Sequence, residues 1–168
     1  MVTPFTHLDN DGHLHMVDVS DKEPTLRRAE ASCVVHSAID LDALAPTTTG
    51  LDPVVAARLV GIQAAKRTAQ MIPLCHPLNL NDVQVAITKD DGAITVRTTV
   101  VAVNRTGVEM EALAACAVAA LSLVNALVTL DATARFEDLV LERKSGGTSG
   151  DWGRLIGAGP ADTPDEGD

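Results

Sequence analysis

The sequence predicts an α+β protein in which helices cover one face of an antiparallel β-sheet. Segments with strand periodicity occur near both ends and in the middle of the chain, and two long helical segments lie between them. The turn Asp90-Asp91-Gly92 joins two alternating segments, which is typical of an antiparallel hairpin. The 168 residues are 46% apolar, enough for the core of one domain. We therefore expect a single domain over residues 1–156.

The first half of the chain contains one predicted strand and two predicted helices. The strand begins at Thr25, and small apolar residues occupy every second position over 29–35. A short helix is expected over 37–45. Asp52 is a good N-cap residue and precedes a proline suited to the first helical position. The helix that it begins is expected to end near Ala69.

The second half begins with a constrained loop, Ile72-Pro73-Leu74-Cys75-His76-Pro77. Alternating residues predict hairpin strands around 83–87 and 94–98, and apolar residues predict a long helix over 108–131. A final strand is expected over 137–143. Residues 145–150 are rich in glycine and are predicted to form a flexible loop. Residues 157–168 are acidic and are predicted to be a disordered tail.

Composition excludes several classes of protein. The net charge of −10 and the aromatic content of 2% argue against a nucleic-acid partner. The three cysteines form no CxxC pair, which favours a reducing cytoplasm. No basic leader with an apolar core begins the chain, so no signal peptide is predicted. Residues 112–130 are uncharged and long enough to cross a bilayer, but acidic residues flank them, which favours a buried helix and no membrane association.

The acidic segment Asp9-Asn10-Asp11-Gly12 has the beginning of a calcium loop but lacks the glutamate that completes one. It is interpreted as a turn, and the nearby His7, His13 and His15 as solvated side chains. No metal site is predicted.

Four segments in order resemble the MoaC family, the cyclic pyranopterin monophosphate synthases of molybdenum cofactor biosynthesis. They are His15-Met16-Val17-Asp18-Val19-Ser20, Ala64-Ala65-Lys66-Arg67-Thr68 with the loop 72–77, Thr106-Gly107-Val108-Glu109-Met110-Glu111-Ala112-Leu113, and Lys144-Ser145-Gly146-Gly147. The resemblance extends over roughly residues 5–152. It implies a ferredoxin-like fold, a homohexamer built as a trimer of dimers with sites at the dimer interface, and no metal or organic cofactor. It also implies a lyase that converts 3′,8-cyclo-7,8-dihydro-GTP to cyclic pyranopterin monophosphate and releases pyrophosphate.

The resemblance assigns roles to residues that otherwise have structural interpretations. Alone, Lys66 would be a basic helix end, and Glu109 and Glu111 would be partners of a helix dipole. The implied catalytic positions are Lys66, His76, Lys144 and Asn125. The implied substrate-binding residues are Arg27, Leu74, Cys75, His76, Glu109, Met110 and Glu111.

Within that set, the role that the resemblance implies for each residue depends on its charge. Lys66, Lys144 and Arg27 would hold the triphosphate, the two glutamates would bind the purine-derived ring, and His76 would carry a proton. Cys75 is interpreted as a small buried side chain rather than a nucleophile.

Three positions depart from the family pattern. The family's catalytic aspartate falls at Asn125, and two of its lysines fall at Val128 and Gly50. Asparagine takes up no proton at neutral pH, and loss of a general acid or base costs about 10²–10⁴ in rate. Asp131, six residues further along the helix, is rotated by about 240° and does not substitute for it. The alternative prediction is therefore a paralogue that binds ligand or pathway partners without turnover.

The length of the helix bears on how a site is assembled. Glu111 and Asn125 are separated by about 21 Å at 1.5 Å per residue. A single pocket is therefore expected to draw on two chains.

Overall fold

The computed structural model describes residues 7–9, 11–40, 52–90, 93–148 and 150–154. These residues form one antiparallel sheet with strand order β2-β3-β1-β4-β5, and helices pack on one of its faces. The predicted α+β, ferredoxin-like fold is confirmed. The elements in chain order are β1 (Thr25–His36), α1 (Pro53–Ala65), α2 (Thr68–Met71), β2 (Asp82–Asp90), β3 (Ala93–Asn104), α3 (Glu109–Leu127), β4 (Arg135–Ser145) and β5 (Trp152–Gly153).

The core lies between β1 and β3 on one side and α3 on the other. The predicted alternation in β1 is confirmed, since Ala29, Ala31, Cys33 and Val35 are at most 1% exposed. Small side chains let the layers approach closely. At Gly61 of α1, a Cβ atom would lie only 3.0 Å from the Ala115 carbonyl oxygen of α3, so glycine permits this helix contact.

Two cysteines join the layers without a covalent bond. Cys33 of β1 and Cys116 of α3 are both buried, and their sulfur atoms are 3.4 Å apart. The Cys116 thiol donates to the Cys33 sulfur. Both are free thiols, as is the partly buried Cys75.

Helix α1 begins as predicted. The Asp52 carboxylate accepts a hydrogen bond from Val54 N at 2.7 Å, and Pro53 occupies the first helical position. The predicted end near Ala69 is wrong, because α1 ends at Ala65 and a separate short helix, α2, follows. At this break the Thr68 hydroxyl, which is buried, donates to the Ala65 carbonyl oxygen.

Other boundaries also differ from the sequence prediction. The helix expected over 37–45 is absent over 37–40, where the Asp131 carboxylate accepts bonds from Ser37 Oγ and Ala38 N. Strand β4 is longer than predicted. Gly50, the rest of the expected short helix and the 157–168 tail lie outside the described residues.

Helix α3 ends at Leu127, four residues before the predicted end. Its length and hydropathy would suffice to cross a membrane, but half of its most apolar window is buried inside the protein. This burial is that of a core helix packed on a sheet.

Candidate functional site

A cavity of about 420 Å³ lies where the beginning of α3, the end of β4, the start of β1 and the loop after α2 meet. It gathers most of the predicted site residues in one place and leaves out Lys66 and Asn125. The predicted residues that line it are Arg27, Leu74, Cys75, His76, Glu109, Met110, Glu111 and Lys144.

The cavity contains an ion pair between two elements that are distant in sequence. Lys144 near the end of β4 donates through Nζ to Glu109 Oε1 at 3.2 Å. Both side chains are about one quarter exposed, at 28% and 26%. The pair therefore lies at the cavity wall, where a charged ligand can reach it.

Glu111 has a different environment although it lies only two residues further along α3. It is 4% exposed. Burial raises the pKa of this carboxyl to about 7, assisted by the charge of Glu109 and opposed by a hydrogen bond from its own backbone N–H. It also contributes, after burial itself, to raising the pKa of the Cys75 thiol. A raised thiol pKa suits the predicted packing role of Cys75 and not a nucleophile.

Arg27 joins two walls of the cavity. It is 9% exposed, and Nε, Nη1 and Nη2 donate to the carbonyl oxygens of Asn104 at 3.2 Å, Gly146 at 3.4 Å and Arg105 at 3.3 Å. These bonds connect the end of β3 to the glycine segment after β4. Three guanidinium nitrogens of the predicted triphosphate-binding arginine thus donate to backbone carbonyl oxygens, and the side chain holds the surrounding segments in place.

The glycine segment fits closely over this arginine. Gly147 has a φ of +86°, and a Cβ atom there would lie 1.5 Å from Arg27 Nη1. Gly146 N also donates to the Asp151 carboxylate at 3.0 Å. The expected flexible loop is therefore, over its described residues, a bonded turn whose glycines are required by backbone conformation and space.

The loop after α2 presents His76 to the cavity through an unusual backbone conformation. Leu74 has a φ of +67°, which is uncommon for a residue with a side chain, and Cys75 N donates to the Ile72 carbonyl oxygen at 3.3 Å. The tight turn places three consecutive residues, Leu74, Cys75 and His76, on the cavity wall.

Sequence reasoning missed several cavity residues, most of them cationic. They are His7, Lys22, Arg28, Arg105 and Thr106. Arg105 and Thr106 directly precede or begin the Thr-Gly-Val-Glu motif, so their adjacency was an available signal. No local pattern distinguishes Lys22 or Arg28 from other surface charges. The Thr106 hydroxyl oxygen is buried without a hydrogen-bond partner, which leaves a polar atom available to a ligand.

The remaining predicted residues lie elsewhere in the chain. Lys66 is exposed at the end of α1, and Asn125 is exposed on α3. Val128 is 42% exposed just after that helix. The Asp131 carboxylate, beyond the end of α3, accepts bonds from Ser37, Ala38 and Thr133. Because α3 ends at Leu127, the helical rotation expected for Asp131 does not apply, and its inability to replace the family aspartate stays a prediction.

The N-terminal acidic segment forms the predicted turn. Asp9 Oδ1 accepts bonds from Asp11 N at 2.9 Å and His13 N at 2.8 Å. Ligand-type atoms of Asp9, Asp11 and His13 lie within 4.8 Å of one another, but all three residues are exposed. The turn explains this proximity without a metal.

The fold and the cavity define a ferredoxin-like α+β protein with a cationic, carboxyl-containing pocket at the start of its long helix. The chain belongs to the MoaC family, whose model matches residues 16–147. Its relatives include a cyclic pyranopterin monophosphate synthase of Streptomyces griseus, 44% identical over 93% of this chain and 89% of the relative. One of Geobacter sulfurreducens is 44% identical over 91% and 98% of the two chains. Cyclic pyranopterin monophosphate synthase 3 of Mycobacterium tuberculosis is 46% identical over 89% and 86%.

Proposed function

We propose that this protein is a cyclic pyranopterin monophosphate synthase, a lyase that converts 3′,8-cyclo-7,8-dihydro-GTP to cyclic pyranopterin monophosphate with release of pyrophosphate. The observation that carries the proposal is the single cavity that gathers His76, Glu109, Glu111 and Lys144 from three separate parts of the chain. Relatives that carry this name match nearly the whole chain.

The charge of the cavity suits a triphosphate ester. Lys22, Arg27, Arg28, Arg105 and Lys144 line it, although the whole chain has a net charge of −10. Arginine and lysine form strong charge-assisted hydrogen bonds to phosphate oxygens, and they stabilise charge that develops on a leaving pyrophosphate. A local group of cations against an acidic background favours a small anionic substrate.

The complete site is proposed to include a second chain. Lys66 and Asn125 lie outside the cavity, and the far part of α3 exposes apolar side chains, with Leu121 at 56% and Val128 at 42%. A neighbouring subunit that covers this face would bring its own α3 residues to the cavity. We propose a homohexamer built as a trimer of dimers, with sites at the dimer interface.

The proposal also covers the domain organisation, the cellular location and the cofactor requirement of the protein. We propose that residues 1–156 act as one domain in the cytoplasm, without a metal or organic cofactor. The free thiols at positions 33, 75 and 116 suit a reducing compartment.

A second candidate function is favoured by one observation. Asn125 and Val128 supply neither a proton carrier nor a cation where the family pattern has both. The alternative is a paralogue that binds the nucleotide-derived ligand or pathway partners and does not turn the ligand over.

The two candidates are separated by supplying the purified full-length protein with 3′,8-cyclo-7,8-dihydro-GTP. The synthase forms pyranopterin and pyrophosphate, and His76→Ala lowers the rate about 10²–10⁴-fold. His13→Ala, an exposed histidine of the N-terminal turn, serves as the matched control and leaves the rate unchanged. Binding without product supports the alternative, and absence of both binding and product contradicts the synthase and the ligand-binding form of the alternative.

A further inference from the structure

The two carboxyl groups of the cavity are held in opposite ways. Glu109 is partly exposed and accepts a hydrogen bond from the Lys144 ammonium, which stabilises negative charge on it. Glu111 is 4% exposed, and among the described residues no lysine, arginine or histidine lies within ion-pair distance of it. Pairs of carboxyl groups with such different surroundings take different roles in acid–base chemistry.

The groups around Glu111 favour its neutral form. Glu109 on the same helix is an anion, and Cys75 on the loop after α2 contributes no positive charge. Three cations of the cavity wall bond to other groups. Lys144 of β4 donates to Glu109, Arg27 of β1 donates to three backbone carbonyls, and Arg28 pairs with Glu30. Lys22 lines the cavity without an ion pair to Glu111 among the described residues. His76, also on that loop, and Arg105, after β3, line the cavity without an ion pair to Glu111.

We propose that Glu111 is the proton donor of this site. The inference rests on the proposed function. It also changes the role that the family resemblance implies for Glu111, because a neutral carboxylic acid donates a hydrogen bond where a carboxylate only accepts. The ligand atom that faces Glu111 is then a nitrogen or oxygen acceptor.

The proton transfer is balanced within one reaction cycle. As a carbon–heteroatom bond of the substrate ring breaks, its electron pair remains on the heteroatom and takes the proton from Glu111. The electrons of the Glu111 O–H bond stay on the carboxylate. A substrate hydroxyl then adds to the carbon that lost this electron pair and closes the new ring, and the hydroxyl proton returns to the carboxylate, so Glu111 ends neutral.

The position of Glu111 supports this role. It is a cavity-lining residue in the first turn of α3, where the helix dipole stabilises a carboxylate, yet burial outweighs that effect and raises its pKa to about 7. A general acid is most effective when its pKa lies near the working pH.

The decisive variant is Glu111→Gln, because the amide has nearly the shape of the neutral acid but carries no acidic proton. We expect turnover to fall about 10²–10⁴-fold while substrate affinity and melting temperature change little. Glu137→Gln, which alters an exposed carboxylate paired with His36, is the matched control and keeps full turnover. Glu111→Asp is expected to regain part of the rate with a displaced pH profile. Full turnover in Glu111→Gln overturns the proposal.

A second measurement is independent of turnover. In protein labelled with ¹³C at the glutamate carboxyl carbon, the resonance lost in Glu111→Gln is expected to titrate with a midpoint near 7. A midpoint near the ordinary value of 4.5 overturns the proposal. If the wild-type protein binds substrate without turnover, the proposed function fails, and this titration still decides whether Glu111 holds a proton at neutral pH.

Discussion

The two ends of α3 differ sharply although one continuous helix joins them. Its beginning places Glu109 and Glu111 in a cavity lined by cations. Its end exposes Leu121, Asn125 and Val128, which bear no charge. Within a single chain, the charged groups of the cavity are therefore gathered at the start of this helix, while Asn125 and Val128 near its end are uncharged and exposed.

The carboxylate that follows the C-terminal end of α3 in sequence, Asp131, is held by several hydrogen bonds. Asp131 accepts hydrogen bonds from Ser37 and Ala38, which follow β1, and from Thr133. It therefore connects the chain after α3 to the segment that follows β1. Any chemistry at the far end depends on residues 125 and 128 themselves.

The largest expected effect comes from restoring the far end. The double variant Asn125→Asp with Val128→Lys is expected to raise turnover of 3′,8-cyclo-7,8-dihydro-GTP about 10²–10⁴-fold, because it returns a proton carrier and a cation. Pyrophosphate release measures the rate. Asn125→Ser with Val128→Met changes the same positions without adding charge and is the control. An unchanged rate in the charged variant would show that the far end takes no part in the reaction.

A smaller effect is expected at the near end from Lys144→Met. Loss of the ammonium removes one charge-assisted contact, a difference of about 1.5–3 kcal/mol, and affinity for the substrate falls about 10- to 100-fold. Isothermal titration calorimetry measures it. Lys89→Met, which breaks an ion pair with Asp40 on a different part of the surface, is expected to leave the affinity unchanged. Equal losses in the two variants would indicate a general charge effect.

The next prediction tests whether Arg27 and the glycine segment form one support for the near end. Gly147→Ala is expected to lower the free energy of unfolding by about 3 kcal/mol, because it combines a left-handed backbone with a clash against Arg27 Nη1. Gly150→Ala meets no atom within 4 Å at a φ of +68° and costs only about 1–2 kcal/mol. Urea unfolding measures both, and similar losses would mean that the Arg27 contact is not restrictive.

The smallest effect concerns the anchor at the far end. Hydrogen bonds from Thr133, Ala38 and Ser37 hold the pKa of Asp131 well below its usual 3.8. A lowered folded-state pKa contributes stability that is complete above the unfolded-state value and is lost as the pH falls below it. We therefore expect Asp131→Asn to melt slightly below the wild type at pH 7 and the difference to shrink as the pH falls below about 4. A difference independent of pH would contradict this.

The fold was predictable where local patterns decide it. Alternation identifies β1, Asp52 with Pro53 identifies the start of α1, and Asp90-Asp91-Gly92 identifies the hairpin. The end of α3 was misplaced because apolar residues continue to Leu130, whereas the chain turns at the side-chain bonds of Asp131. Two of those bonds come from Ser37 and Ala38, 94 and 93 positions away, which no local pattern contains.

The site was predictable only in part, for a similar reason. The family resemblance identifies Glu109, Glu111, His76 and Lys144, but not the difference in burial between the two glutamates. Arg27 was expected to bind phosphate, and its backbone partners at positions 104, 105 and 146 become visible only when three distant segments meet. The cations Lys22 and Arg28 join the cavity by tertiary packing alone.

The sulfur pair between the sheet and α3 gives the protein an internal reporter. Alkylating reagents cannot reach Cys33 or Cys116 while the helix rests on β1, whereas Cys75 on the cavity wall is accessible without that separation. The rate of alkylation of Cys33 and Cys116, followed by mass spectrometry, therefore measures how often the helix layer separates from the sheet. Slower alkylation of Cys75 in the presence of a bound molecule measures how much of the cavity is occupied.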